Sequence, residues 1–333
     1  MTRILVTGGA GYVGAVSVET FLAAGHEVVV LDDLSTGHRS AVPDGARLIV
    51  GDYADRATTA AVFAEEPIDA ILHCAARSLV GESLREPAHY FQDNVAGGIS
   101  LLEAARQAGV RRFVLSSTAA VYGVPDTTPI PEEAPLRPIN PYGETKRSLE
   151  AVLTWYGRAY EFRSVSLRYF NVAGATKAIG EDHDPETHLI AAILAAVEAG
   201  RPVTIFGHDY PTRDGTNVRD YIDVADLADA HLRAIDATVP GDGRIGDGLL
   251  VCNLGNGDGF TNLEVLRAAS AVVGRDIPHE LAPRRPGDPA TLVASAGRAA
   301  EVFSWRPQRP SLEEMVASAW AWRRAHPGGY GDG

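Results

Sequence analysis

The chain is expected to fold as an α/β protein, a doubly wound parallel sheet followed by a smaller C-terminal α/β lobe. Three observations predict this. Short β-branched runs alternate with helix-spaced stretches through the first half, a glycine-rich turn separates the first run from the first helix, and the alternation breaks near residue 173. Strict βαβα order places helices on both faces of a parallel sheet, so its strands are apolar on both sides.

The elements follow in order. Residues 4–7 are a brief apolar run bounded by glycines, a buried strand, and residues 12–24 have helical spacing that ends at Gly25, a C-cap. Further strands are expected at 27–31, 48–50, 70–73 and 112–116, with helical stretches between. Past residue 173 the sequence is richer in His, Asp, Pro and Gly, and one helix (189–199) stands out. A helix is expected at 223–235, an exposed loop at 236–248, and at 249–254 a strand able to rejoin the first sheet. The Gly-rich tail after His326 is expected to fray. The domains are therefore drawn as 1–173 plus about 219–257, and 174–218 plus about 258–330.

Composition narrows the function. The 333 residues are 45% hydrophobic, and 43 acidic against 30 basic residues give a net charge of −13. No basic run opposes that sign, so a nucleic-acid partner is not expected, although a local arginine cluster can still bind a small anion. Cys74 and Cys252 are the only cysteines, too few for a disulfide framework and without the CxxC spacing of a metal site. They point to a reduced, cytoplasmic protein with no metal, and both are expected within strands. No apolar leader or span of about 20 apolar residues occurs, so no membrane partner is expected.

The turn Thr7-Gly8-Gly9-Ala10-Gly11-Tyr12-Val13-Gly14 precedes the first helix. Glycines at 8, 11 and 14 permit a tight turn, close approach of a pyrophosphate and close helix–sheet packing, and the helix N-terminus adds free N–H donors. Alone, this fits any tight turn. About 20 residues on, the second strand ends in Asp32-Asp33, where a carboxylate can accept hydrogen bonds from an adenosine ribose and repel a 2′-phosphate, favouring NAD. Of the two, Asp32 is the expected contact and Asp33 is solvated. Asp52 and Tyr53 follow the third strand at the same edge, as an adenine contact or a surface turn.

Asn140 and Pro141 suit the N-cap and first position of a helix that carries Tyr142 and Lys146 one turn apart on one face. A cation about 6 Å from the phenol contributes roughly 2.8 kcal/mol at an effective dielectric near 20, about two pKa units, enough with a nearby nicotinium to make Tyr142 a base. On spacing alone an exposed Tyr–Lys pair is the commoner arrangement. The fifth strand favours the functional reading, because it ends Ser116-Ser117-Thr118 at the carboxyl edge where such sheets bind ligand, and Thr118 can relay a hydroxyl proton. Ser116 and Ser117 read as packing or capping residues.

These features resemble the extended short-chain dehydrogenase/reductase superfamily, with its Rossmann sheet. Further segments narrow the resemblance to UDP-glucose 4-epimerases: His73-Cys74-Ala75-Ala76, Val80-Gly81-Glu82-Ser83, Asn94-Val95, Arg168-Tyr169-Phe170-Asn171, residues 205–216, Val218-Arg219-Asp220-Tyr221-Ile222 and residues 282–288. The likeness runs in order from residue 3 to about 330. It implies an NAD-dependent isomerase that interconverts UDP-glucose and UDP-galactose through a 4-keto sugar. Tyr142 would take the hydroxyl proton, Lys146 would lower its pKa and hold the nicotinamide ribose, and Thr118 would assist. Ala75, Asn94 and Tyr169 would join Gly8, Gly11, Tyr12, Val13, Asp32, Asp52 and Tyr53 around NAD. Asn171, His188, Phe206, Arg219, Arg285 and Asp288 would hold the UDP-sugar, with a planar guanidinium suited to diphosphate. Without the resemblance, Arg219 and Arg285 would read as surface ion-pair residues and Phe206 as core. Such enzymes are commonly homodimers through helices resembling 83–108 and 142–161.

Departures from the pattern bear on specificity. Ser78 stands where several relatives have Lys, with Arg77 beside it as a replacement cation or an exposed residue; Cys74 stands where Phe is frequent and His188 where some have Asn. Leu292 aligns with a position that is Tyr in stricter enzymes, so some tolerance of N-acetylated UDP-hexoses is expected. UDP-glucuronate and UDP-arabinose remain open as substrates. A 4,6-dehydratase is disfavoured by Ala119-Ala120 after Thr118, and a non-catalytic NAD-binding regulator by the retained Tyr142 and Lys146.

Overall fold

The computed structural model describes residues 1–246, 248–285 and 288–331. Strands β1 (Arg3–Thr7), β2 (Glu27–Asp32) and β3 (Arg47–Val50) alternate with helices α1 (Tyr12–Ala23) and α2 (Arg56–Glu65). Strand β4 (Ala70–His73) leads through the short turns α3 (Val80–Ser83) and α4 (Pro87–Tyr90) and a π-helical segment, Phe91–Gly97, into α5 (Gly98–Gln107). After β5 (Arg112–Thr118) come α6 (Pro141–Tyr160), β6 (Arg163–Tyr169) and β7 (Asn171–Ala173). The second half supplies α7 (Leu189–Glu198), β8 (Val203–Phe206), β9 (Val218–Arg219), β10 (Tyr221–Asp223), α8 (Val224–Ala237) and β11 (Leu249–Leu254). It ends with β12 (Phe260–Thr261), α9 (Asn262–Val273), β13 (His279–Ala282), β14 (Thr291–Leu292), α10 (Gly297–Phe303) and α11 (Leu312–Ala325).

The main sheet has seven parallel strands in the order β11-β6-β5-β4-β1-β2-β3. The chain starts in the middle, winds outward through β2 and β3, then returns to β4 and winds the other way. This reversal opens a crevice beyond the carboxyl ends of β1 and β4, where doubly wound sheets bind ligand. Burial on both faces explains the apolar runs. Ile4 and Val6 enter one core with Val18 and Phe21 of α1 and Leu227 and Ala230 of α8. Leu5 faces the other way, with Leu101 of α5 and Leu149 and Leu153 of α6. A separate core gathers Ile193 and Leu194 of α7, Ile205, Val265 and Leu266 of α9, and Met315 and Val316 of α11. The chain then returns to the sheet, where Ala299, Phe303 and Trp305 join the first core.

Three local expectations are corrected. Up to Tyr330 the tail is held rather than frayed: Tyr330 accepts Gly180 N–H and donates to the Gly180 carbonyl, stacks on His38, and its own amide bonds Asp182. Within 236–248, α8 continues to Ala237 and Ile245 is 5% exposed, because it plugs the sheet's core. Cys252 lies in β11, but Cys74 lies one residue beyond β4, at the crevice.

Candidate active site

The glycine turn is shaped by two contacts that tolerate no side chain. Gly8 has φ +73°, and a Cβ on it would stand 2.5 Å from the Ala75 amide nitrogen; one on Gly14 would stand 2.0 Å from the Gly8 carbonyl oxygen. Ala75 N–H in turn bonds the Thr7 carbonyl at 3.0 Å, so β4 braces the turn. Gly11, the N-cap of α1, would meet only the Gly8 oxygen, at 3.5 Å, which leaves room for a phosphate at the helix N-terminus. Tyr12 and Val13 form the first turn, and the Tyr12 hydroxyl donates to the Gly174 carbonyl at 2.6 Å. Asp32 is buried and takes Ala10 N–H and Leu34 N–H, both at 2.9 Å, with burial raising its pKa. Its carboxylate is thus fixed at the rim of the turn, while Asp33 is exposed and caps Ser35. Asp52 accepts from Ala54 N–H, and Tyr53 donates to the Asp93 carbonyl with its ring edge-on to His73.

Tyr142, Lys146 and the end of β5 meet on the other side of the crevice. Asn140 caps α6 by accepting Gly143 N–H at 2.8 Å, with Pro141 behind it. This aims Tyr142 at the end of β5, where the Thr118 hydroxyl is near enough to lower the pKa of its phenol. Lys146 is 3% exposed and donates from Nζ to the Ser116 carbonyl at 2.9 Å. Burial lowers its pKa to about 8, against the opposing pull of Cys74 and Glu150. Tyr142 differs from expectation here: burial raises its phenol, offset in part by Thr118. The Lys146 ammonium is not among the causes that move the phenol, and it donates to the Ser116 carbonyl. The Tyr169 hydroxyl bonds Ser116 Oγ. Asn94, 2% exposed, takes Arg77 N–H and donates to the Arg77 carbonyl and Thr145, tying the loop after β4 to α6. The Arg77 side chain pairs with Asp93 at the surface.

Several supporting residues were missed. Glu150, 4% exposed, is one turn beyond Lys146 and receives hydrogen bonds from Ser117, Ser166 and Arg168. Arg168 passes the network on to Tyr122 and thence Asn253. The i, i+4, i+8 spacing of Tyr142, Lys146 and Glu150 was the available signal. Ser117 is therefore tied to a buried ion pair, and Ser116 presents both carbonyl and hydroxyl to the site.

A second cluster lies on the smaller lobe. Arg219 pairs with Asp288, Arg285 lies 4.1 Å over the Phe206 ring, and β9 and β14 place Leu292 beside Arg219. Leu292 also packs against the cluster of Val121, Tyr122 and Ile130 just beyond the end of β5, on the side of Thr118. Asn171 begins β7, which pairs with β10. His188, the N-cap of α7, has an exposed side chain whose Nδ1 turns to Glu181, and that carboxylate holds its pKa up. Buried Tyr221 feels both Arg219 and Glu181. Among the described residues no helix is long and apolar enough to cross a membrane.

Comparison with known proteins accords with this geometry. Residues 4–246 match the NAD dependent epimerase/dehydratase family. The chain is 52% identical over 334 residues to the UDP-glucose 4-epimerase of Streptococcus mutans, covering 99% of each. It superposes on a crystal structure of a UDP-glucose 4-epimerase with TM-score 0.94 and 45% identity, covering 98% of this chain and 99% of that one. The Bifidobacterium longum UDP-glucose 4-epimerase, solved with NAD+ and UDP, gives TM-score 0.91 at 35% identity over 98% of this chain and all of that one. With a switch-point crevice, a phosphate-ready glycine turn and a Tyr–Lys–Thr constellation in the same fold, the chain belongs to the NAD dependent epimerase/dehydratase family.

Proposed function

We propose that the chain interconverts UDP-glucose and UDP-galactose by NAD-dependent epimerisation at C4, through a transient 4-keto sugar. The observation that carries this reading is the meeting of Tyr142, Thr118 and Lys146 at the crevice that the glycine turn opens into. Gly8, Gly11, Tyr12, Val13, Asp32, Asp52, Tyr53, Ala75, Asn94 and Tyr169 hold the dinucleotide; the buried Asp32 carboxylate suits a ribose diol and opposes a 2′-phosphate. Bound NAD supplies the acceptor that takes hydrogen from C4 and returns it to the other face.

Tyr142 takes the C4 hydroxyl proton through Thr118 or directly, and gives it back when the sugar has turned over. Lys146 would orient the nicotinamide ribose and supplies positive charge, and a bound nicotinium would favour the phenolate of Tyr142, which the protein alone disfavours. Arg219, Arg285, Asp288 and Phe206 hold the nucleotide end, with Asn171 and His188 on the sugar-phosphate side. They keep the ketone bound while its hexose rotates. Residues 1–173 plus about 219–257 form the NAD-binding part and 174–218 plus about 258–330 the UDP-sugar part, except that Ala299, Phe303 and Trp305 pack in the core of the NAD-binding sheet. The two cysteines, neither in a disulfide, fit a cytoplasmic setting.

Tyr142→Phe is expected to lower kcat by about 10²–10⁴-fold while purified protein keeps its NAD. Wild-type turnover in that variant, followed by chromatographic separation of the two UDP-hexoses, would refute the assignment. Leu292 leaves more room than a tyrosine, so UDP-GalNAc is expected to react, and Leu292→Tyr to suppress that reaction more than that of UDP-galactose. No UDP-GalNAc turnover by the wild type would remove this part of the reading.

A further inference from the structure

We propose that Glu181, His183, Glu186 and His188 form a binding site for one divalent transition-metal ion of the zinc class. The sequence repeats Glu-x-His five residues apart, Glu181-Asp182-His183 and Glu186-Thr187-His188. The fold brings the two copies face to face, with one ligand atom from each of the four residues lying within 4.8 Å of the others. Both imidazoles turn Nδ1 to the same oxygen, Oε1 of Glu181, His183 at 3.2 Å. Their rings stand 5.7 Å apart and nearly perpendicular.

One atom of this cluster has no partner. Glu186 Oε1 accepts Thr187 N–H and His188 N–H, but Glu186 Oε2 is buried without a hydrogen bond. An unsatisfied carboxylate oxygen beside a second, buried carboxylate is unfavourable, and a cation between them removes the conflict. Two imidazoles and two carboxylates complete a tetrahedral zinc-type set, a mixture that magnesium or calcium, which prefer all-oxygen shells, would not select.

The position gives the ion a structural task. His188 is the N-cap of α7 yet makes no side-chain cap hydrogen bond, because its ring is directed at Glu181. Metal ligation through Nδ1 would lock the loop onto α7 and keep His188 Nε2 as a hydrogen-bond donor for the sugar diphosphate. The site itself does not depend on the epimerase reading.

The test is to strip the full-length protein with a chelator, then titrate it with Co2+ and displace the Co2+ with Zn2+. Expected are intense visible bands of tetrahedral cobalt and about one zinc per chain. His183→Ala and Glu186→Gln should each weaken zinc binding by about 100-fold or more, with bound NAD and circular dichroism unchanged. If His183→Ala loses its fold, the isosteric Glu186→Gln decides. No cobalt band in the wild type, or a band that persists in the folded variants, overturns the site.

Discussion

Lys146 shows how one residue answers two demands. Its pKa of about 8 in the folded chain lies below the ordinary 10.5, so between these values the unfolded chain holds a proton that the folded chain has released. Stability of the NAD-free protein should therefore rise as pH goes from about 8 to 10.5. Urea titrations at several pH values check this, and Lys146→Met should flatten the rise. The i, i+4 spacing together with the Ser-Ser-Thr end of the fifth strand gave access to Tyr142 and Lys146, and the offset between glycine turn and second strand to Asp32. Cys74 and Ser116 were not legible as site residues, because their roles depend on which strand ends become neighbours, whereas Glu150 carried a signal in its spacing from Lys146.

At the scale of elements, close approach of α1 to the sheet decides cofactor binding. Gly14→Ala places a methyl group 2.0 Å from the Gly8 oxygen, which α1 can relieve only by moving away from the turn. A loss of about 1–3 kcal/mol in urea unfolding is expected, together with loss of co-purified NAD measured after denaturation. Helices α1 and α8 meet through Ser17 Oγ and His231 Nδ1 at 3.0 Å. Burial depresses the His231 pKa from 6.5 to about 3, so the folded chain stays neutral there while the unfolded chain takes up a proton as pH falls. Stability contributed by this site is present above about pH 6.5 and is lost progressively toward pH 3, and His231→Gln should show a shallower acid decline. The long strands and helices were legible from their periodicity. Residues 80–97 were not, since four-residue turns and a π-helical segment carry no 3.6-residue repeat.

For the whole molecule, Trp155 is 65% exposed on α6 and Leu84 60% exposed between α3 and α4. Both lie in the segments 83–108 and 142–161 through which the family resemblance implies a homodimer, and on that expectation Trp155→Arg should weaken self-association by about 2 kcal/mol or more in sedimentation experiments. The lobes are joined internally by Asp220, whose carboxylate receives amides from Asn256, Gly257 and Ala294. Asp220→Ala leaves buried donors unpaired, and a loss of about 3 kcal/mol in urea unfolding is expected. The sequence placed Asp220 in a family-like segment without its structural reason, because its three partners lie far along the chain. The docking of Tyr330 was equally hidden, since a Gly-rich stretch reads as loose until its aromatic residue meets His38.

The adjacency of Tyr221 and Ile222 has a mechanical consequence. These neighbours point into opposite cores, and the chain crosses again between Leu254 and Val265 and between Trp305 and Leu312. Such stitching ties the lobes at several points, so any relative motion must bend these crossings together rather than one linker.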